Sequence, residues 1–243
     1  MPVTIASSSR SMAESQRAMV EAARFESRIK AIVADGDNTL WRGAIADTVG
    51  RKYIFRELGR LHLRTFVRAA SAEERIRKLI RSDPINGPAK GFLQLYDVLV
   101  QNRVGREEEM YRYAERHVSR NRIVDVNRLL RAEELRIPLF LVTAGGSTGA
   151  RAAGKIFNAR GTAANEDLFD ASGRLCGINI TIRNGVEKRE AAVKMLRGFG
   201  IELGECVAIG DSEMDRLILE EAGMAVASPF AVDEIRRIAH IQL

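Results

Sequence analysis

Two hydrophobic rhythms divide this chain. In Ile29–Ala34 and again after Pro138, short apolar runs stop abruptly at polar or glycine-marked tips. Between Trp41 and Arg136, apolar residues return at helical spacing instead: Ile54, Leu58 and Leu61, then Phe92, Leu95, Val98 and Leu99, then Met110, Tyr113 and Ala114. The first rhythm is that of strands buried on both faces, the second that of amphipathic helices. The spacing predicts about five helices and no strand between Trp41 and Arg136, divided in two at Asp83–Pro88 by its prolines and glycine.

Ahead of this, Met1–Ser11 reads as a loose tail and Met12–Phe25 as a short leading helix. After Pro138 the pattern predicts a strand at Leu139–Val142 ending in Thr143-Ala144-Gly145-Gly146-Ser147, a helix from Thr148 to about Asn158, and a short strand at Gly161–Asn165. Asp170–Gly173 reads as a turn, Arg174–Arg183 as a half-exposed strand, Asn184-Gly185 as another turn and Lys188–Phe199 as a helix. Cys206–Ile209 is a strand ending at Gly210–Asp215, followed by a helix to Ala222, a strand at Met224–Ala227 and a closing helix from Val232. Strands alternating with helices imply a parallel sheet with right-handed crossovers.

The tips of a parallel sheet lie along one edge, where open α/β sheets bind ligands. Asp35-Gly36-Asp37, Thr143-Ala144-Gly145-Gly146 and Gly210-Asp211 therefore converge from distant parts of the chain. Two carboxylates one residue apart repel each other, so a positive group is expected between them, most simply a metal ion.

Composition narrows the classes. The chain has 243 residues, 46% hydrophobic and 29% charged, as an ordinary globular protein does. No apolar stretch is long enough to span a bilayer and no signal-peptide pattern opens the chain. Cys176 and Cys206 suggest no disulfide framework, and a cytoplasmic location is expected. The net charge of +6 comes mostly from arginine, lysine occurring only at 30, 52, 78, 90, 155, 188 and 194. No aromatic-interleaved basic stripe or zinc-finger spacing accompanies that charge, so nucleic acid is not the expected partner. His62, His117 and His240 show no ligand spacing and are expected to pack or face solvent.

Four segments in order resemble the haloacid dehalogenase-like superfamily of phosphohydrolases: Asp35-Gly36-Asp37-Asn38-Thr39, Thr143 at a strand end, Lys188 at a helix start, and Gly210-Asp211-Ser212-Glu213-Met214-Asp215. The resemblance runs from about Ile29 to the C-terminus. It implies a Rossmann-like parallel-sheet core of three α/β/α layers, formed by residues 29–41 and 137–243, with residues 42–136 inserted as an α-helical cap and 1–28 leading in. Ala163-Ala164-Asn165, Asp170, Gly173, Leu175 and Gly177 look most like the phosphoserine phosphatase branch.

The resemblance also implies roles. Asp35 is the nucleophile that forms an aspartyl-phosphate, and Asp37 protonates the leaving alkoxide and then activates water. The carboxylates of Asp35 and Asp211, with the backbone carbonyl of Asp37, hold Mg²⁺, and Asp215 orients Lys188 or metal-bound water. Thr143 and the amides after it, beginning with Ala144, bind phosphate oxygens, and Lys188 neutralises Asp35 and the transferring group. A small phosphomonoester is the implied substrate, sorted by size under the cap. The phosphoserine branch places a glutamate soon after its first motif. This chain has Arg42-Gly43-Ala44-Ile45-Ala46 there, with Asp47 the first acid. Arg42 suits a second anionic group on the substrate better than an amine. Trp41 packs the loop leaving the sheet or touches substrate.

Taken singly, each segment has a plainer reading. Asp35–Asp37 could be an Asx turn, although Thr39 and Leu40 do not fit a calcium loop; Thr143 could cap a helix, Lys188 could lie on the surface, and Asp211 and Asp215 could cap the next helix. Two other functions also remain open: a phosphomutase or phosphotransferase using the same aspartyl-phosphate, and a non-enzymatic anion or nucleic-acid binder on the same fold.

Overall fold

The computed structural model describes residues 29–45, 78, 100, 105–123 and 137–243. Its elements are β1 (Ala31–Ala34), α1 (Glu107–Arg120), β2 (Leu139–Gly146), α2 (Ser147–Ile156), β3 (Gly161–Phe169), β4 (Leu175–Asn179), α3 (Gly185–Arg197), β5 (Cys206–Gly210), α4 (Arg216–Glu221), β6 (Met224–Ala227), α5 (Asp233–Ile238) and β7 (Ile241–Gln242). The strands form one seven-stranded sheet in the order β4-β3-β2-β1-β5-β6-β7. Every pairing is parallel except β3 with β4. The expected Rossmann-like α/β/α core is therefore present.

Alternation along β1 explains the layering. Ala31 and Val33 face one core with Ala192 and Leu196 of α3, Ile218 and Leu219 of α4, and Ile235 of α5. Ile32 and Ala34 face the other, with Val118 of α1 and Ala150 and Ala153 of α2. All four β1 residues are buried, as a central parallel strand requires.

Helix α1 lies within the 42–136 segment, and its residues 105–123 are sewn to the core at both ends. Glu107 N–H donates to Gly173 O and Leu175 N–H to Gly105 O; at the other end Arg42 N–H donates to Asn121 O and Ile123 N–H to Leu40 O. The remaining helices expected there, the leading helix and the tail lie almost wholly outside the described residues.

The structure departs from the expected elements in several places. Strand β3 continues to Phe169, because the turn at Asp170–Gly173 folds β4 back on it. Asp170 closes that turn by accepting from Ser172 and Arg174, and Gly173 takes the left-handed φ of +72°. Of the expected Arg174–Arg183 strand, only Leu175–Asn179 joins the sheet, Arg174 making an isolated bridge to Arg106. Asn184 is a helix N-cap, not a hairpin turn: its side chain accepts from Glu187 N–H at 3.0 Å, so α3 begins at Gly185. Finally, the two-residue β7 is too short for a hydrophobic rhythm to reveal. No described helix is long and apolar enough to cross a membrane.

Candidate active site

Register puts the polar tips side by side. Ala34 is level with Leu141 of β2 and Ile209 of β5, so Asp35 stands one residue beyond both, and its N–H donates to Ile209 O at 3.0 Å. Asp211 follows directly after β5, and Thr143 lies two residues beyond Leu141 within β2.

Past Asp35 the chain turns tightly. The amides of Thr39, Leu40 and Trp41 all point at Gly36 O, at 3.1, 2.8 and 3.4 Å. Asn38 takes φ +59°, a conformation asparagine tolerates, and its side chain accepts from Gly43 N–H at 2.9 Å. The turn brings the Trp41 ring over Gly36, where a β-carbon would lie 2.5 Å from Cη2. Trp41 is 1% exposed, stacks on Phe157 and donates from Nε1 to Asp37 Oδ1 at 2.8 Å; Ile45 N–H donates to the same oxygen at 3.2 Å. Of the two readings of Trp41, the geometry shows packing, with the indole also orienting Asp37. Burial raises the Asp37 carboxyl above the ordinary range, against the bonds from Ile45 and Trp41.

The other acids come from the loop after β5. Gly210 leaves room for Asp215, whose Cβ sits 2.5 Å from where a Gly210 β-carbon would be. Asp215 Oδ2 accepts from the amides of Asp211 and Ser212 and from the Ser212 hydroxyl, at 3.2, 3.1 and 3.0 Å. Its Oδ1 faces Lys188 Nζ at 2.7 Å, and the same ammonium lies 2.5 Å from Asp35 Oδ1. Lys188 is in the first turn of α3, and Gly185 lets that turn approach the loop: a β-carbon there would be 3.3 Å from Met214 O. The structure thus brings Asp35, Asp211, Asp215 and Lys188 together, all buried.

The charges do not balance. Asp35, Asp211 and Asp215 offer oxygens within 4.8 Å of one another, against one ammonium. Burial, helped by Asp215, outweighs Lys188 and raises Asp35 to about 7. Asp211 is pushed well above the carboxylate range by burial, then by Asp215 and Asp35. For Lys188, burial pulls the ammonium down, but Asp215 and Asp35 together hold it above its ordinary value. Hard oxygen donors with surplus negative charge fit a divalent cation such as Mg²⁺. The cluster contains Asp35 and Asp211 as expected, with Asp215 as third member; the Asp37 carboxylate faces Trp41 and Ile45 instead.

Thr143 and Ala144 lie inside β2, which runs on to Gly146, so they precede α2 by a short stretch of strand. Thr143 Oγ1 accepts from Gly145 N–H at 3.1 Å. One amide of the first α2 turn, Thr148 N–H, is already taken by Asp167 Oδ2 at 2.8 Å. Arg42 is exposed, with its guanidinium 5.4 Å from the ring centroid of Phe230. The Phe230 loop borders the acids: Ser228 N–H donates to Gly210 O and Val232 N–H to Asp211 O.

Two contributors have no assigned role at the sequence level. Thr39 Oγ1 donates to Asp211 Oδ1 at 3.2 Å, tying the first acidic segment to the last; its place at the end of Asp35–Thr39 is the one local signal. Ser228 Oγ donates to Asn38 O at 2.8 Å, and nothing in the local pattern marks it.

A family model for haloacid dehalogenase-like hydrolases matches residues 32–220. The fold is similar to a phospho-aspartyl intermediate analogue of phosphoserine phosphatase, at 18% identity and TM-score 0.65, covering 89% of this chain and 93% of that one. It is also similar to a substrate-bound phosphoserine phosphatase complex, at 17% identity and TM-score 0.65, covering 88% and 92%. A hydrolase of the same family from Salmonella enterica subsp. enterica serovar Typhi gives 15% identity and TM-score 0.66, covering 94% and 75%. No curated protein matches the chain. With acids from β1 and β5 meeting a lysine from α3 at one sheet edge, and with the family match spanning most of its length, this chain belongs to the haloacid dehalogenase-like hydrolases.

Proposed function

We propose that this hydrolase is a Mg²⁺-dependent phosphatase that cleaves a small phosphomonoester through an aspartyl-phosphate on Asp35. The observation that carries the reading is Lys188 Nζ bridging Asp35 and Asp215 in a buried cluster that includes Asp211. An Asp35 oxygen attacks phosphorus in line with the ester oxygen, and the phosphorus–ester bond breaks. Asp37 hands its proton to the departing alkoxide, then takes one from the water that releases phosphate from Asp35. Lys188 offsets charge on Asp35 and on the transferring group. Thr143 and Ala144 bind phosphate oxygens. Asp35, Asp211 and the Asp37 carbonyl would hold the cation, which would supply electrostatic stabilisation to the phosphoryl oxygens. Asp215 is a positioning residue that fixes Lys188 from behind.

Residues 42–136 supply a helical cap that sorts substrates by size. Arg42, standing where the phosphoserine branch carries an acid, disfavours a substrate ammonium and favours esters with extra acidic or hydroxyl groups, and Trp41 acts indirectly by aiming Asp37.

A panel of phosphate esters, run with and without Mg²⁺ on the parent and on Asp35→Asn, tests this. The expected result is Mg²⁺-dependent release of inorganic phosphate that Asp35→Asn abolishes, with carboxylate or sugar phosphates preferred over phosphoserine. Transfer of the phosphoryl group to a second substrate without release of phosphate would make the protein a phosphotransferase. No turnover, together with salt-sensitive nucleic-acid binding, would make it a binder.

A further inference from the structure

We infer that Asn165 is a positioning residue that holds the two halves of the phosphate cradle in register from behind; the inference rests on the phosphatase reading above. Between Val142 and Gly146, β2 leaves its ladder: those residues pair with Ala163 and Asn165, so β2 spends more residues than β3 over the same distance. Thr143–Gly145 forms the bulge, and bulges re-aim strand residues at the cost of main-chain pairs. Asn165 restores one pair with its side chain. Its Nδ2 donates to Ala144 O at 2.8 Å and to Ile182 O at 3.2 Å. Its Oδ1 accepts from Thr181 N–H and Ile182 N–H at 2.9 and 2.8 Å.

The amide is 1% exposed and uses both donors and both acceptor sites. Turning it over would set N–H against N–H and oxygen against oxygen, so its orientation is settled. On one side it holds Ala144 of the phosphate-binding tip. On the other it holds residues 181–182, which lead through the Asn184 cap into the turn bearing Lys188. One buried side chain thus spaces the two phosphate-binding elements.

The test is the affinity of inorganic phosphate in Mg²⁺ buffer, measured by calorimetry on the full chain and as inhibition of ester hydrolysis. Asn165→Ala should weaken phosphate binding about ten-fold or more, a loss of about 1.4 kcal/mol, and should raise KM more than it lowers kcat. Asn165→Asp matches its shape and retains the acceptors but lacks both donors, and should weaken binding likewise. Asp170→Ala serves as the control: it loosens the β3–β4 turn away from the cradle and should lower Tm with phosphate affinity within about two-fold. If either Asn165 variant folds with parental phosphate affinity and KM, the inference is overturned. Should both variants unfold, amide exchange on the parent decides. Phosphate should slow exchange at Thr181 and Ile182 together with Ala144, and protection confined to Ala144 refutes the coupling. A parent that neither binds phosphate nor hydrolyses esters refutes the phosphatase reading instead.

Discussion

Asp215 occupies the space that a side chain on Gly210 would need: its Cβ and Cγ stand 2.5 and 2.7 Å from where a Gly210 β-carbon would lie. The glycine at the end of β5 is thus the counterpart of the acid that follows the turn. The spacing between them is that needed to bring Asp215 back over the strand end, where it binds the amides of Asp211 and Ser212 and meets Lys188.

Gly210→Ala should therefore act through Asp215. Overpacking of this kind costs about 1–3 kcal/mol, and displacement of Asp215 frees Lys188 from one of its two carboxylates. A lower urea midpoint together with lost phosphate release is expected. Unchanged turnover would show that Asp215 need not lie over the strand end.

Lys188 is the sole cation among three buried acids in the described cluster. Removing one partner from a buried charged set costs about 3–5 kcal/mol. Lys188→Met should fall in that range by urea unfolding at neutral pH and lose hydrolysis. A smaller penalty in acid, where the carboxyls are protonated, should accompany it.

Asp35, raised to about 7, and Asp211, raised well above the carboxylate range, give the cation-free protein an inverted acid response. A carboxyl whose folded pKa lies above its unfolded value binds its proton more tightly when folded. Its stabilising contribution is present below the unfolded pKa, about 4, and is lost as pH rises through about 7. In cation-free buffer Tm should fall across that window. Added Mg²⁺ should raise Tm strongly near pH 8 and weakly near pH 5. Asp211→Asn should raise the cation-free Tm near pH 8 and erase most of the Mg²⁺ effect. Equal Mg²⁺ shifts at both pH values would contradict this assignment.

The indole N–H of Trp41 lowers the Asp37 carboxyl against the upward push of burial. Trp41→Phe fills the same space without the donor, so the limb of the kcat profile belonging to Asp37 should move to higher pH. The rate should drop at least about ten-fold, in line with a hydrogen bond to a charged group worth about 1.5–3 kcal/mol. Trp41 is also the one tryptophan of the chain, so its fluorescence in the parent is expected to change when Mg²⁺ or phosphate is added.

Local pattern carried most of the sheet. The buried runs at Ala31–Ala34, Leu139–Val142, Cys206–Ile209 and Met224–Ala227 are legible because a strand covered on both faces must be apolar throughout. Asn184-Gly185 misled, because the same dipeptide chemistry serves hairpins and helix caps, and only the Glu187 amide above it decides. Strand β7 has too few residues to show any period. In the site, Asp35, Lys188 and Asp211 were legible from position and order. Asp215 was legible too as a partner of Lys188, which it meets at 2.7 Å; that its carboxylate also stands within 4.8 Å of those of Asp35 and Asp211 appears only once the β5 turn folds it over Gly210.

The order of acids, glycines and lysine along the chain determined, without coordinates, the class of fold and the residues that could do chemistry, because strand ends and helix starts are marked by their own neighbours. Which of those residues share a hydrogen bond is a property of the folded sheet alone. Thr39 meets Asp211 across 172 residues, and Asn165 meets both Ala144 and Ile182. Such pairs depend on crossover direction, strand register and a bulge, each set by packing between distant segments, and no local pattern encodes the distance between two strands that are not neighbours in sequence.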